Sequence, residues 1–189
     1  MTDLLDIDLF LIAEETSVRS VDTTRLTGNG TTYACAVPTR DTVSRLLRVV
    51  DGTFPPFDPA ELRDEAHCTL VYSKKAGIDP GRLAVGPGQL SLEARMIRVE
   101  YWNGHNNTGY VVLKLDSPDM AALHRRFVEA GAKHSFDDYT PHLTIGAKVG
   151  EKTPEMERWL KHVNGVVAGA RDFVLEFDAV RAEDIRDDK

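Results

Sequence analysis

Two short segments combine residue types that can act on a phosphodiester: His67-Cys68-Thr69-Leu70 and His142-Leu143-Thr144-Ile145. Each is His-x-Thr followed by an aliphatic residue, and each sits in a run that reads as a strand. Side chains alternate along a strand, so His67 and Thr69 share one face and His142 and Thr144 share another. Cys68, Leu70, Leu143 and Ile145 then turn toward the core. In-line displacement at phosphorus needs one group to take a proton from the nucleophile and another to give one to the leaving oxygen. Two imidazoles with an ordinary pKa of about 6.5 meet that need near neutrality. Two threonine hydroxyls can donate to the non-bridging oxygens, where charge builds. No metal is required. A lone His-x-Thr says little. Two copies 142 − 67 = 75 residues apart, each preceded by a strand and a helix, suit two half-domains facing across a cleft.

The elements that must carry these motifs follow from periodicity and punctuation. Thr32 to Val37 reads as a strand. Thr39 to Val50 reads as a helix, with Thr39 as N-cap and Val43, Leu46, Leu47 and Val50 on its apolar face. The proline-rich run 54–59 reads as an extended loop. Ala66 to Tyr72 is a strand, 77–88 a Gly/Pro-rich loop, and Gln89 to Trp102 a long strand whose parity shifts near Ile97, the mark of a bulge. A tight turn leads to a hairpin partner, Gly109 to Leu115. Ser117-Pro118-Asp119 starts a helix that Gly131 stops. Pro141 to Ala147 is a strand, Thr153 to Val163 a helix, and Asp172 to Val180 a final strand. The order β-α-β-β-β-α-β-α-β predicts an α+β domain with mainly antiparallel sheets. Residues 1–30 end in Gly28-Asn29-Gly30 and read as an N-terminal arm, with a short strand possible at Asp6 to Leu11; residues 31–189 read as one domain.

Composition narrows the partners. With 42% apolar and 28% charged residues the chain is an ordinary globular one. Its formal charge of −7, with no block of lysine or arginine, disfavours long nucleic acid but permits a small anion held by a few placed groups. No apolar run is long enough for a membrane span and no secretory leader pattern is seen, so a cytoplasmic protein is expected. Cys35 and Cys68 form neither a zinc motif nor a disulfide framework, in keeping with a reducing compartment.

The paired motifs resemble those of the 2H phosphoesterase superfamily. Within it, His67-Cys68-Thr69-Leu70-Val71-Tyr72-Ser73 and Tyr139-Thr140-Pro141-His142-Leu143-Thr144-Ile145 look most like the phage anti-CBASS phosphodiesterases. The resemblance covers most of residues 32–180 in element order, and only the motifs and their flanks residue by residue. It implies a bilobed fold, two mainly antiparallel sheets facing across a central cleft with flanking helices. It implies His67 and His142 as general acid and base, in an order left open, with Thr69 and Thr144 holding phosphate. The activity it implies is cleavage of cyclic di- or oligonucleotide signals, countering host immunity in the host cytoplasm, without a cofactor. The same two motifs also serve a 2′,3′-cyclic phosphodiesterase that processes RNA ends, and a protein that only sequesters nucleotides keeps the cleft without the chemistry.

Further substrate-binding candidates are Tyr33 on the first strand, Tyr72 and Ser73 after the first motif, Tyr139 before the second, and Trp102, whose stacking on a base is worth roughly 1–3 kcal/mol. The resemblance adds Glu176 as a base contact. Lys74 and Lys75 can steer an anion. His105, His124, His134 and His162 lack a paired motif, and His124, beside Arg125 and Arg126, reads as part of a solvated face. No metal-ligand spacing is present, so no metal is expected.

Overall fold

The computed structural model describes residues 21–27, 30–50, 59–74, 76–79, 83, 92–104, 108–133, 138–170 and 172–185. The predicted strand at 6–11, Lys75, His105 and His134 lie outside these residues. In chain order the elements are β1 (Val21–Arg25), β2 (Thr32–Pro38), α1 (Arg40–Val50), α2 (Pro59–Glu65), β3 (Cys68–Ser73), β4 (Leu92–Asn103), β5 (Gly109–Asp116), α3 (Pro118–Glu129), β6 (His142–Gly146), α4 (Pro154–Gly169) and β7 (Val174–Glu183). The predicted order holds, with β1 and α2 added. Strand β1 runs parallel to β7, so residues 21–25 of the predicted arm belong to the sheet. Helix α2 escapes a periodicity search because it has only seven residues and, among its described side chains, Leu62 alone is buried.

The strands form one seven-stranded sheet in the order β1-β7-β2-β3-β6-β5-β4, with β4 pairing back onto β7. This corrects the expectation of two sheets. Strand β7 is ten residues long, enough to hold β4 along 174–177 and β1 along 180–183, while β2 pairs along 177–183. The sheet thereby closes on itself. Its two halves, β7-β2-β3 and β6-β5-β4, meet a second time at the β3–β6 seam, where Cys68 pairs with Leu143.

The helices start where the sequence says they should. The Thr42 N–H donates to Thr39 Oγ1 at 3.1 Å, and the Met120 N–H donates to Ser117 Oγ at 3.2 Å. The Met156 N–H donates likewise to Thr153 Oγ1, ahead of Pro154. Helix α4 outruns its predicted end at Val163 because its buried face continues to Val167. Strand β4 bulges as expected: Met96 pairs with Leu115 and Arg98 with Lys114, leaving Ile97 half exposed between them.

Beyond Arg95, β4 loses β7 as a neighbour and its outer edge needs another partner. Asn164 of α4 supplies it, accepting from the Val99 N–H at 2.7 Å and donating to the Val99 carbonyl at 2.9 Å. Val99 is buried, so removing the amide strands two backbone groups away from water. Asn164→Ala is expected to lose about 2 kcal/mol of unfolding free energy, measured by urea denaturation. A loss below about 0.5 kcal/mol, the usual size of a neutral surface change, would show that the edge is satisfied without it.

Candidate active site

His67 stands immediately before β3 rather than within it, and His142 is the first residue of β6. Each imidazole is tethered to the carbonyl two residues earlier in its own segment. His67 Nδ1 lies 2.6 Å from the Glu65 carbonyl oxygen, and His142 Nδ1 lies 2.8 Å from that of Thr140. A carbonyl only accepts, so Nδ1 carries the hydrogen in both rings. Nε2 is left for a ligand, as a base when the ring is neutral and as an acid when it is charged. The lead-in to the second motif is fixed by Pro141, which biases Thr140 toward an extended backbone and whose carbonyl accepts from the Leu115 N–H at 2.9 Å.

The seam brings the motifs together. Antiparallel pairing of Cys68 with Leu143, carried one residue either way, sets His67 opposite Thr144 and Thr69 opposite His142. Cys68 and Leu143 themselves are fully buried, as the alternation requires. His67, Thr69, His142 and Thr144 are all half-buried. Thr69, His142 and Thr144 line a cavity of about 730 Å³, and His67 and Thr144 line an adjoining one of about 170 Å³.

Aromatic rings wall the larger cavity. Tyr33 meets His67 edge-on with ring centroids 6.0 Å apart, and its hydroxyl is hydrogen-bonded to the Thr69 side chain. Burial holds the Tyr33 phenol protonated by pushing its pKa upward. Trp102 packs at 4.6 Å on His142. Tyr72, opposite Tyr33 in the β2–β3 register, also lines the cavity, with Lys74 Nζ 5.3 Å from its ring centre. Tyr139 lines it from the lead-in segment.

Two of the sequence candidates are not brought here. Strict alternation from Thr69 carries Ser73 to the cleft and Tyr72 away from it. The register between β2 and β3 slips instead: Ala34 pairs with Val71 but Cys35 with Thr69, so Leu70 is an extra residue. Tyr72 is turned into the cavity and Ser73 into the interior, where its Oγ donates to the Ala76 carbonyl and accepts from the Lys133 N–H. Glu176 is exposed on β7 and does not line the cavity. Its backbone instead docks α1, accepting from the Thr39 N–H and donating to Thr42 Oγ1, each at 2.9 Å.

Sequence reasoning also misplaced His124. It is half-buried, its Nδ1–H donates to the Leu70 carbonyl at 2.7 Å, and its ring stacks on Tyr139 with centroids 4.1 Å apart. Contacts from a helix to a distant strand leave no mark on helical periodicity. Asn103, Thr108, Tyr110 and Asp138 complete the rim without any motif to announce them. Among the described residues no group of three or more His, Cys, Asp or Glu is placed to hold a metal ion. No helix among them is long and apolar enough to cross a membrane.

A sequence model of the anti-CBASS protein Acb1 family matches residues 30–176, a stretch that contains both motifs and every wall of the cavity named above. The chain belongs to the anti-CBASS protein Acb1 family. Among curated Acb1 proteins, that of Yersinia phage phiR1-RT is 34% identical over 88 residues, covering 47% of this chain and 54% of the relative. That of Enterobacteria phage T4 is 34% identical over 89 residues, with 47% and 54% covered. The Acb1 protein of Vibrio phage KVP40 is 29% identical over 90 residues, with 48% and 53% covered. The chain thus spans about half the length of the curated Acb1 relatives it matches.

The two imidazoles of this Acb1-family chain feel one another. Burial holds the His142 pKa below 6.5, the bond to the Thr140 carbonyl opposes that shift, and the charge of His67 reinforces it. In the unfolded chain His142 titrates near 6.5. Between the folded and unfolded values the unfolded chain binds more protons, so the His142 contribution to stability falls as pH drops through that window. NMR titration of the His142 ring is expected to give a midpoint below 6.5; a midpoint at or above it would contradict the burial.

Proposed function

We propose that this protein is a metal-independent phosphodiesterase that opens cyclic di- or oligonucleotide signals in the host cytoplasm. It would thereby serve phages as a counter to CBASS immunity, the role for which its relatives are named. The observation that carries this reading is the antiparallel juxtaposition of two His-x-Thr motifs on adjoining strands, each imidazole tethered through Nδ1, beside a cavity walled by aromatic rings. The two sheet halves that meet at β3–β6 are the two lobes of the 2H arrangement, and the seam is the floor of its cleft.

The chemistry then runs as a transesterification. His142, held neutral by burial, takes the proton of a ribose 2′-hydroxyl through Nε2. The 2′-oxygen bonds to the adjacent phosphorus while the bond to the 5′-oxygen breaks. His67 gives its Nε2 proton to the departing 5′-oxygen. The product is a 2′,3′-cyclic phosphate, which water then opens. Thr69 and Thr144 donate to the non-bridging oxygens as negative charge grows there. Tyr33, Tyr72, Tyr139 and Trp102 hold the nucleobases by stacking, which needs no base-specific groups. The cavity volume is that of a small-molecule site, and with a net charge of −7 the protein attracts no long polyanion.

The test is incubation with a 3′,3′-cyclic dinucleotide in EDTA. Cleavage by the wild-type protein is expected, with kcat/KM lowered about 10²–10⁴-fold, the usual worth of a general acid or base, in His67→Ala and in His142→Ala. Full activity in either variant overturns the assignment of that imidazole. Intact recovery of the cyclic dinucleotide indicates a sequestering protein if it binds, and an enzyme for RNA ends if short RNAs with 2′,3′-cyclic phosphates are cleaved instead.

A further inference from the structure

Trp102 reaches His142 from an unexpected distance. Along β5, Trp102 pairs with Tyr110, whereas His142 pairs with Lys114, two alternations away. Four residues of strand span about 13 Å, yet the two ring centroids are 4.6 Å apart. The indole must therefore lean back along β4, across the level of Val112. That is the direction of Glu100, which precedes Trp102 by one alternation and shares its face. Glu100 Oε2 accepts the indole Nε1–H at 2.9 Å.

Glu100 is itself held. Arg98 pairs with its other oxygen, and Lys114 Nζ lies 3.9 Å from Oε2. Lys114 is the residue beside His142 on the neighbouring strand. The circuit Glu100–Trp102–His142–Lys114 thus spans three strands. Glu100 is not among the residues lining the cavity, and its hydrogen bond to a residue that does line it is the one to the indole. Burial opposes ionisation of Glu100, but the Trp102 N–H, Lys114 and Arg98 outweigh it and keep the carboxyl below its ordinary range, as an acceptor should be.

We propose that Glu100 is a positioning residue: by accepting the Trp102 indole N–H it clamps the ring against His142 and preforms the aromatic wall before any ligand enters. Without that bond the indole is free to adopt its other staggered rotamers, and part of the binding energy goes to ordering it. The inference rests on the reading of Trp102 and His142 as parts of the substrate site.

Two readouts test it on the full chain. The first is the ring-current displacement of the His142 ring protons by the indole in NMR spectra of the ligand-free protein. The second is KM and kcat on a 3′,3′-cyclic dinucleotide. Glu100→Ala, and Glu100→Met as a variant that keeps the side-chain volume, are expected to lose the displacement and to raise KM about tenfold with kcat within about threefold, the cost of ordering one large side chain. Glu100→Gln keeps an acceptor oxygen and is expected to stay within about twofold of wild type on both counts. In a Trp102→Phe background, Glu100→Ala is expected to add nothing further. The proposal is overturned if the displacement survives in Glu100→Ala and Glu100→Met, if Glu100→Gln is as impaired as they are, or if Glu100→Ala still raises KM once the indole is gone. Failure of the wild-type protein to cleave any cyclic dinucleotide refutes the functional reading instead, and leaves the NMR result to decide the clamp by itself.

Discussion

The site depends on one cross-strand pairing. Where Cys68 meets Leu143, two halves of a sheet that are otherwise joined only through β7 come into register. A slip of one residue by either strand at that seam turns that strand's histidine and threonine to the opposite face and parts them from the other pair. The pairing is protected from slipping by what lies beneath it. Cys68 and Leu143 are fully buried, and burial pushes the Cys68 thiol up to about 12, so it remains an uncharged packing group. The residues with no chemistry to perform are the ones that keep the chemical residues in place.

Closure of the sheet explains why so short a contact suffices. Strand β7 holds β4 on one edge and β2 on the other, so the β3–β6 pair closes a ring of strands instead of joining two halves by itself. The outer edge of β4 that β7 leaves open is sealed by Asn164, and the same strand then carries Trp102 into the cleft, with Glu100 holding its indole from behind. Stability and site geometry therefore meet in β4. Desolvation is the second consequence of this framework: the walls that half-bury His142 also lower its pKa, which favours the neutral ring that the proposed role as proton acceptor needs.

Much of this was readable in the chain because it lies in local pattern. The Thr39 and Ser117 caps and the parity shift at Ile97 are all short-range signals, and the structure places each where the pattern implies; the His-x-Thr repeat is equally local, although His67 stands one residue ahead of its strand. What escaped the sequence depends on pairing. The slip at Leu70 decides that Tyr72 faces the cavity and Ser73 does not, and a bulge between two apolar neighbours, Leu70 and Val71, leaves no break in hydropathy. The single closed sheet followed from the length of β7 and its three partners, which alternation in one strand does not reveal. His124 was misread because its partner, Tyr139, arrives from another element. The rim of the cavity is legible only once the strands are assembled.

The central claim is that His67 and His142 address one phosphorus atom from opposite sides. A crystal structure with a cyclic dinucleotide whose reacting 2′-hydroxyl is replaced by hydrogen measures this directly, since that ligand binds but lacks the nucleophile. The account predicts a phosphate over the β3–β6 seam, with His67 Nε2 within hydrogen-bonding reach, about 2.6–3.2 Å, of the 5′-oxygen and His142 Nε2 on the far side, facing the ribose C2′. A phosphate bound away from the seam, or one touched by both imidazoles from the same side, would contradict it.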